Sequence, residues 1–240
     1  ESVSYTSAGT AVSKDFTYDG YGRLEETEVT AGSSSRLATT YTYRDVSSTY
    51  TTTQVASMTN TYTGGTETLS YTYDNNGNIT AISDGTYTTS YTYDELGEMT
   101  WEYNQSVGKA WNWSYDTGGN ILSKKVYDYT YSGGTWAVSA TCTTINYTYG
   151  NSEWGDLLTG INGNTISYDD AGNMTAMGSW TYTWQGGRQL ATATNSAANR
   201  TVSFAYDEDG LRTEKTVTTA SGTVTHSYTY NGSLLTSDVT

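Results

Sequence analysis

The chain has 240 residues, of which 24 are Tyr and 7 Trp but only 2 Phe, with no Pro, one Cys and a net charge of −14. That charge argues against nucleic acid and anionic membrane surfaces as partners, since both need clustered Lys and Arg. A single Cys leaves no internal disulfide and no thiolate metal site, and no apolar run approaches the ~18 residues of a membrane helix. Scarce aliphatics raise the question of disorder. Against it, Tyr, Trp and Thr fit a pleated, half-buried surface, and a chain without Pro interrupts no ladder. Ser and Thr together fill about 30% of the chain. This composition predicts sheet with a thin core, held by cross-strand aromatic and Thr pairs, its acidic surface hindering edge-to-edge aggregation. Low Cys with abundant Thr, Ser, Asn and Gly suits a bacterial secreted or cell-surface protein. The chain opens at Glu1 with no leader-like stretch, so an excised or processed piece is expected.

In chain order, aromatic-x-aromatic pairs recur throughout. Phe16/Tyr18 leads into Asp19 and Gly22. Tyr41/Tyr43 follows, then Tyr71/Tyr73 with Asp74 and Gly77, and Tyr91/Tyr93 with Asp94 and Gly97. Trp113/Tyr115 has Asp116 and Gly119. Tyr147/Tyr149 comes next, then Ile166/Tyr168 with Asp169 and Gly172, Trp180/Tyr182, Phe204/Tyr206 with Asp207 and Gly210, and last Tyr228/Tyr230. After the Gly comes a polar residue and then an aliphatic one, as in Asn78-Ile79, Glu98-Met99, Asn120-Ile121 and Asn173-Met174. Two rings spaced by one residue share a strand face. The Asp carboxylate accepts nearby N–H groups to start a turn, and the Gly supplies a positive φ. Each unit therefore reads as strand, D-x-x-G turn, strand. Consecutive units make an antiparallel meander, with almost no helix. The clusters Gly32–Ser35, Gly64–Thr66 and Ser132–Thr135 read as long hairpin tips. No linker interrupts the pattern, so residues 1–240 are expected to form one all-β array of about ten units without a separate catalytic domain. A lone hairpin is marginal in water, so stability should come from neighbouring units.

Candidate chemistry is sparse. His226, the only histidine, lies in the alternating stretch Thr223–Tyr228, and Cys142 lies in Ala140–Thr144; both read as strand residues rather than nucleophilic machinery. Asp74–Asn78 and Asp207–Gly210 resemble short calcium loops but lack a downstream bidentate Glu, and the same letters describe an Asx turn. The neighbouring acids Glu25-Glu26 and Asp169-Asp170 do not face one another as a glycosidase pair must. No catalytic residue, cofactor or metal is expected. Trp101, Trp111, Trp113, Trp136, Trp154, Trp180 and Trp184 could line a sugar platform, or cover the sheet where aliphatics are missing. Sequons at Asn78, Asn112, Asn146 and Asn173 arise readily in so Thr-rich a chain.

Tyr71-Thr-Tyr-Asp-Asn-Asn-Gly-Asn-Ile-Thr80 and Tyr91-Thr-Tyr-Asp-Glu-Leu-Gly-Glu-Met-Thr100 resemble the YD repeats of the RHS family, as do Tyr115–Ile121 and Tyr206–Arg212. Trp180–Leu190 resembles a variant from the C-terminal half of such arrays. The resemblance implies a long β-sheet that spirals into a hollow shell. In bacterial members that shell often holds a toxic C-terminal domain, with a self-cleaving core segment near its end. Related shells occur in insecticidal toxin complexes, wall-associated proteins and animal teneurins. This chain is far shorter than a whole shell and lacks the core segment. The expected function is a non-catalytic wall segment that encloses or presents an effector, its partners being other repeats of a parent chain. Alternatives are a self-assembling extracellular filament of identical protomers, or an adhesin holding surface glycans on its aromatic face. Which face is interior stays open, because both carry rings and Thr.

Overall fold

A computed structural model describes every residue except Ala8, Ser48 and Thr49, and the side chain of Ser7. Among the described residues there are 21 strands and no helix. The chain divides into two compact units, Glu1–Tyr115 with Lys124–Thr144, and Asp116–Ser123 with Ile145–Thr240.

In the first unit, β1 (Ser2–Ser7), β2 (Thr10–Tyr18), β3 (Leu24–Ala31), β4 (Ser34–Ser47) and β5 (Tyr50–Tyr62) lead to β6 (Gly65–Tyr73), β7 (Ile79–Ser83), β8 (Thr88–Tyr93), β9 (Met99–Asn104) and β10 (Lys109–Tyr115). Each strand pairs antiparallel with its neighbour in sequence. β11 (Ile121–Ser132) and β12 (Thr135–Thr148) follow. In the second unit the end of β12 pairs with β13 (Gly160–Ile161), and the meander continues through β14 (Asn164–Tyr168), β15 (Met174–Met177), β16 (Trp180–Gln185), β17 (Gln189–Asn195), β18 (Arg200–Tyr206), β19 (Arg212–Thr219), β20 (Gly222–Asn231) and β21 (Leu234–Val239).

The expected long hairpin tips are in fact tight turns on long strands. Gly32-Ser33 and Gly133-Gly134 are two-residue connections, with Gly32 at φ +63°, Gly133 at +61° and Gly134 at +86°. Positive φ at the tip gives the turn the twist of the flanking strands, so the ladder runs up to its end.

The core is thin, for the compositional reason given above. Among the described residues the buried apolar positions are Ala110, Ile166, Ala193 and Val202, and no large side chain is fully buried. Hydroxyl pairs line much of the sheet, such as Thr59–Thr68 at 3.0 Å, Thr183–Thr192 at 2.7 Å and Thr216–Thr225 at 3.0 Å. Each such pair contributes only a fraction of a kcal/mol, roughly 0.2–1, so the fold relies on their repetition.

Candidate functional site: the repeat turn and its ring bracket

The unit from Tyr71 to Ser83 shows how the repeat is built. Asp74 ends the first strand, and its N–H donates to Asn78 O at 3.0 Å. One carboxylate oxygen accepts the N–H groups of Asn76 (2.9 Å) and Asn78 (2.8 Å), and the other accepts Asn78 Nδ2 (2.9 Å). Gly77 closes the turn at φ +91°, its N–H on Asp74 O. The same two N–H bonds, from the residues two and four positions on, reach Asp19, Asp94, Asp116, Asp169 and Asp207. Gly22, Gly97, Gly119, Gly172 and Gly210 lie between +78° and +86°. The Asn side chain hydrogen-bonds the carboxylate again at Asn120–Asp116 and Asn173–Asp169, and Arg23 Nε takes that role on Asp19 at 2.6 Å. These donors stabilise the charged form. The Asn78, Asn120 and Asn173 amides hold Asp74, Asp116 and Asp169 below the usual carboxylate range. At Asp94 the Glu98 N–H is the main cause; at Asp19 the bonds from Arg23 and Tyr21 outweigh an opposing desolvation.

Two features of the unit escaped sequence reading. The first is a β-bulge just before the turn. Thr72 pairs with Ala81 but Tyr73 with Ile79, so Thr80 has no partner across the ladder. The same skip occurs before Tyr18, Tyr43, Tyr93, Tyr168, Trp184, Tyr206 and Tyr230. A bulge sharpens local twist and re-aims a side chain. At Thr80 and Thr100 the extra residue turns its hydroxyl onto the Thr between the two tyrosines, at 2.9 and 2.8 Å.

The second is a bracket from one unit to the unit before it. The β7–β8 pairing stops at Ala81↔Ser90, which leaves the Ile79 carbonyl beyond the ladder's end. Tyr93 spans the gap and its hydroxyl donates to Ile79 O at 2.7 Å. Tyr43 reaches Leu24 O, Tyr73 Val55 O, Tyr115 Met99 O, Tyr168 Leu158 O, Tyr206 Leu190 O and Tyr230 Arg212 O, all within 3.1 Å. Trp184 does the same with its indole N–H on Met174 O at 2.7 Å. The ring pair of that unit is therefore Tyr182/Trp184, two residues later than the pair Trp180/Tyr182 read from sequence. Burial pushes the Tyr73, Tyr93, Tyr115 and Tyr168 hydroxyls above their ordinary range, so they stay protonated donors. The first rings have another place: Tyr71 stands opposite Ile82 and Tyr91 opposite Glu102. Tyr18 is 47% exposed.

The structure separates the seven tryptophans. Trp101 and Trp136 join one row with Tyr103, Tyr127, Tyr129 and Tyr131, with ring centroids 5.0–5.6 Å apart. Trp101 and Tyr103 are parallel within 5°, so they turn their faces toward each other. Ala110, directly opposite Tyr103, is wholly buried. Trp111 lies on the other face of the sheet, since its partner Glu102 alternates with Trp101 and Tyr103. Lys124 Nζ sits 5.7 and 5.5 Å from the centroids of Trp111 and Trp113. Trp154, Trp180 and Trp184 belong to the second unit.

The remaining candidates have ordinary surroundings. His226 Nδ1 lies 2.9 Å from Asp238 Oδ1 and its ring stacks on Tyr228. Cys142 is exposed, 3.7 Å from Thr144 Oγ1. Glu25 is the extra residue of a bulge while Glu26 pairs with Thr17. Among the described residues no three His, Cys, Asp or Glu side chains converge. The Asp74 and Asp207 carboxylates that resembled calcium ligands accept N–H groups of their own turns. The sequons at Asn78 and Asn173 follow from the repeat itself: the Asn grips the turn Asp, and the Thr two residues on is the extra residue of the bulge. Asn112 donates to Thr100 O, and Asn146 is exposed.

The chain resembles known proteins over different spans. It is 40% identical over 79 residues, 32% of its length, to the tRNA3(Ser)-specific nuclease WapA of Bacillus spizizenii and to the tRNA nuclease WapA of Bacillus subtilis, strain 168. It spans only 3% of the length of these relatives. The crystal structure of TcdB2-TccC3-Cdc42 shares the fold over 95% of this chain and 14% of that one, with a TM-score of 0.59 at 15% identity. The Teneurin YD-shell family model matches residues 2–158. The repeated hairpin with its Asp turn thus runs through a chain that belongs to the Teneurin YD-shell family.

Proposed function

We propose that the chain is a non-catalytic wall segment of a secreted or cell-surface shell, and that both units serve as one array of repeats that encloses or presents an effector domain. The observation that carries this is incompleteness. The chain exposes 15132 Å², against roughly 10,600 Å² expected of a globular monomer of its 26.1 kDa. With no large side chain fully buried among the described residues, each hairpin is finished by its neighbours, as in other repeat proteins. The turn residues Asp19, Asp74, Asp94, Asp116, Asp169 and Asp207, their glycines, and the bracketing rings serve as structural parts of this wall. Its partners are further repeats of a longer parent chain, and bacterial secretion fits the relatives. The stacking of Trp101 on Tyr103 within the ring row favours the structural reading over a sugar platform there, because a sugar needs an open ring face.

The test is electron microscopy of the full-length native protein, with its intact mass measured and its C-terminal region probed by protease. Closed hollow particles that protect an effector are expected. Regular filaments of 26.1 kDa protomers would replace the shell with the filament reading. Glycan binding lost on Trp101→Ala and Trp136→Ala would replace it with the adhesin reading.

A further inference from the structure

The strand ending at Thr148 departs from the repeat. Tyr147-Thr-Tyr149 is followed by Gly150 instead of Asp, and a loop over residues 149–159 replaces the four-residue turn. Its neck is closed by Thr159, whose N–H donates to Thr148 O (2.7 Å) and whose hydroxyl accepts Gly150 N–H (2.7 Å). Asn151 Oδ1 accepts the N–H groups of Glu153 and Trp154, both at 2.9 Å. Asp156 accepts Asn120 Nδ2 at 3.1 Å, which ties the loop to the turn at 116–119. So fixed, the loop holds Trp154 over Gly172 of the next turn, where a Cβ would lie 3.2 Å from the indole. Trp154 nevertheless stays 52% exposed and joins none of the ring pairs.

Between this loop and the turn at 169–172 lies an open cleft of about 510 Å³. Leu157, Tyr168 and Ile166, the last 3% exposed, give it an apolar floor, and Trp154 forms one wall. Of the lining residues Glu153, Asp169 and Asp170 are acidic and none is basic; the chain's own Arg188 is not among them and is held by the same turn, its Nη2 donating to Ala171 O at 3.1 Å. The Asp169 oxygens already accept Ala171 N–H, Asn173 N–H and Asn173 Nδ2. Among the described residues the Glu153 and Asp170 carboxylates have no such partner. An apolar floor beneath an aromatic wall and an anionic rim suits a side chain with an aliphatic stem and a cationic head. We propose that this cleft binds an arginine side chain of an extended basic peptide segment, its stem on Leu157 and Ile166, its guanidinium against Trp154 and between Glu153 and Asp170. The cleft is formed within the second unit, so the proposal does not depend on whether a parent protein closes a shell.

The test uses the full 240-residue chain with indole-labelled tryptophan, the Trp154 resonance being assigned by Trp154→Phe. The probe is an N-acetylated, C-amidated Gly-Arg-Gly tripeptide, with its citrulline counterpart as the uncharged control. A saturable shift of the Trp154 indole N–H, without shifts of the tryptophans in the first unit, is expected with the arginine peptide only. It should weaken about tenfold in the Glu153→Gln, Asp170→Asn double variant and fade at high salt. Neither substituted side chain holds a turn, so folding is unaffected. No saturable shift, an equal shift with citrulline, or a shift of Trp154 with a neutral disaccharide but not with the peptide would each overturn the proposal, the last in favour of a glycan.

Discussion

The turn at 74–78 and the loop at 149–159 do one job, returning the chain after a Tyr-x-Tyr strand, by opposite means. The turn closes on itself: every bond at Asp74 comes from residues two to four positions away. The loop adds a borrowed group to its own Asn151 and Thr159, with Asn120 gripping Asp156 from 36 residues away. A local closure is written in adjacent letters and tolerates few substitutions. A tertiary closure leaves its own letters nearly free and puts the constraint elsewhere.

That contrast is sharpest at the glycines. Gly77→Val should cost about 2–3 kcal/mol, since a β-branched residue is strained at positive φ and its Cβ would also press on Gln54 Nε2, 3.2 Å away. Thermal melting checks it, and Gly97→Val, where nothing lies within 4 Å of the added carbon, should show the strain alone. Acid should act next on the local closures. Asp74, Asp116 and Asp169 have depressed folded values, so their contribution is fully present above the unfolded carboxylate value of about 3.9 and is lost as pH falls through the folded one. A melting temperature flat from neutrality to about pH 5 and falling below about pH 4 is expected. Asp74→Asn should melt lower at neutrality yet fall less steeply; an unchanged acid limb would mean the turns do not govern it. Tyr93→Phe and Tyr168→Phe should each cost about 1 kcal/mol, the net worth of a lost hydrogen bond. Equal losses would mean that the bracket works alike on a strand carbonyl (Ile79) and a loop carbonyl (Leu158). A loss at Tyr93 alone would show that the loop holds itself. The smallest effect belongs to Gly155→Val. Its backbone lies outside the positive-φ region and the added carbon meets nothing, so a change within about 0.5 kcal/mol is expected in chemical denaturation.

The same division explains what the sequence made legible. The meander was readable because alternation and Asp-to-Gly spacing are local. The bulges were not, for Thr80 looks like any strand threonine until Tyr73 is seen to pair with Ile79. The bracket was hidden because the two rings of a pair look alike in sequence, and only the second reaches the carbonyl left beyond the ladder's end. Trp184 was misplaced for a related reason: Gln185 follows it and the turn is Gly186-Gly187-Arg188, with no Asp to mark where the strand stops. The ring row from Trp101 to Trp136 passes over β10 to join β9 with β11 and β12, and no periodicity announces such a contact. The cleft beside Trp154 depends on Gly172, which has the same letter as the glycine of every other Asp turn, and on Asn120, which has the same letter as Asn78 and Asn173.

The brackets all point one way. Tyr93 reaches back to Ile79, Tyr115 to Met99, Tyr230 to Arg212, and these bonds run from each unit to one already passed. A chain emerging N-terminus first from a ribosome or a secretion channel meets its anchor before it needs it, so each new hairpin is latched as it appears. The two ends of such an array age differently. Loss of units from the C-terminal side leaves carbonyls that water can satisfy, whereas loss from the N-terminal side strands a half-buried hydroxyl without its acceptor. Growth and fraying in such repeats are thus vectorial, a polarity set by which partner of each hydrogen bond is the side chain.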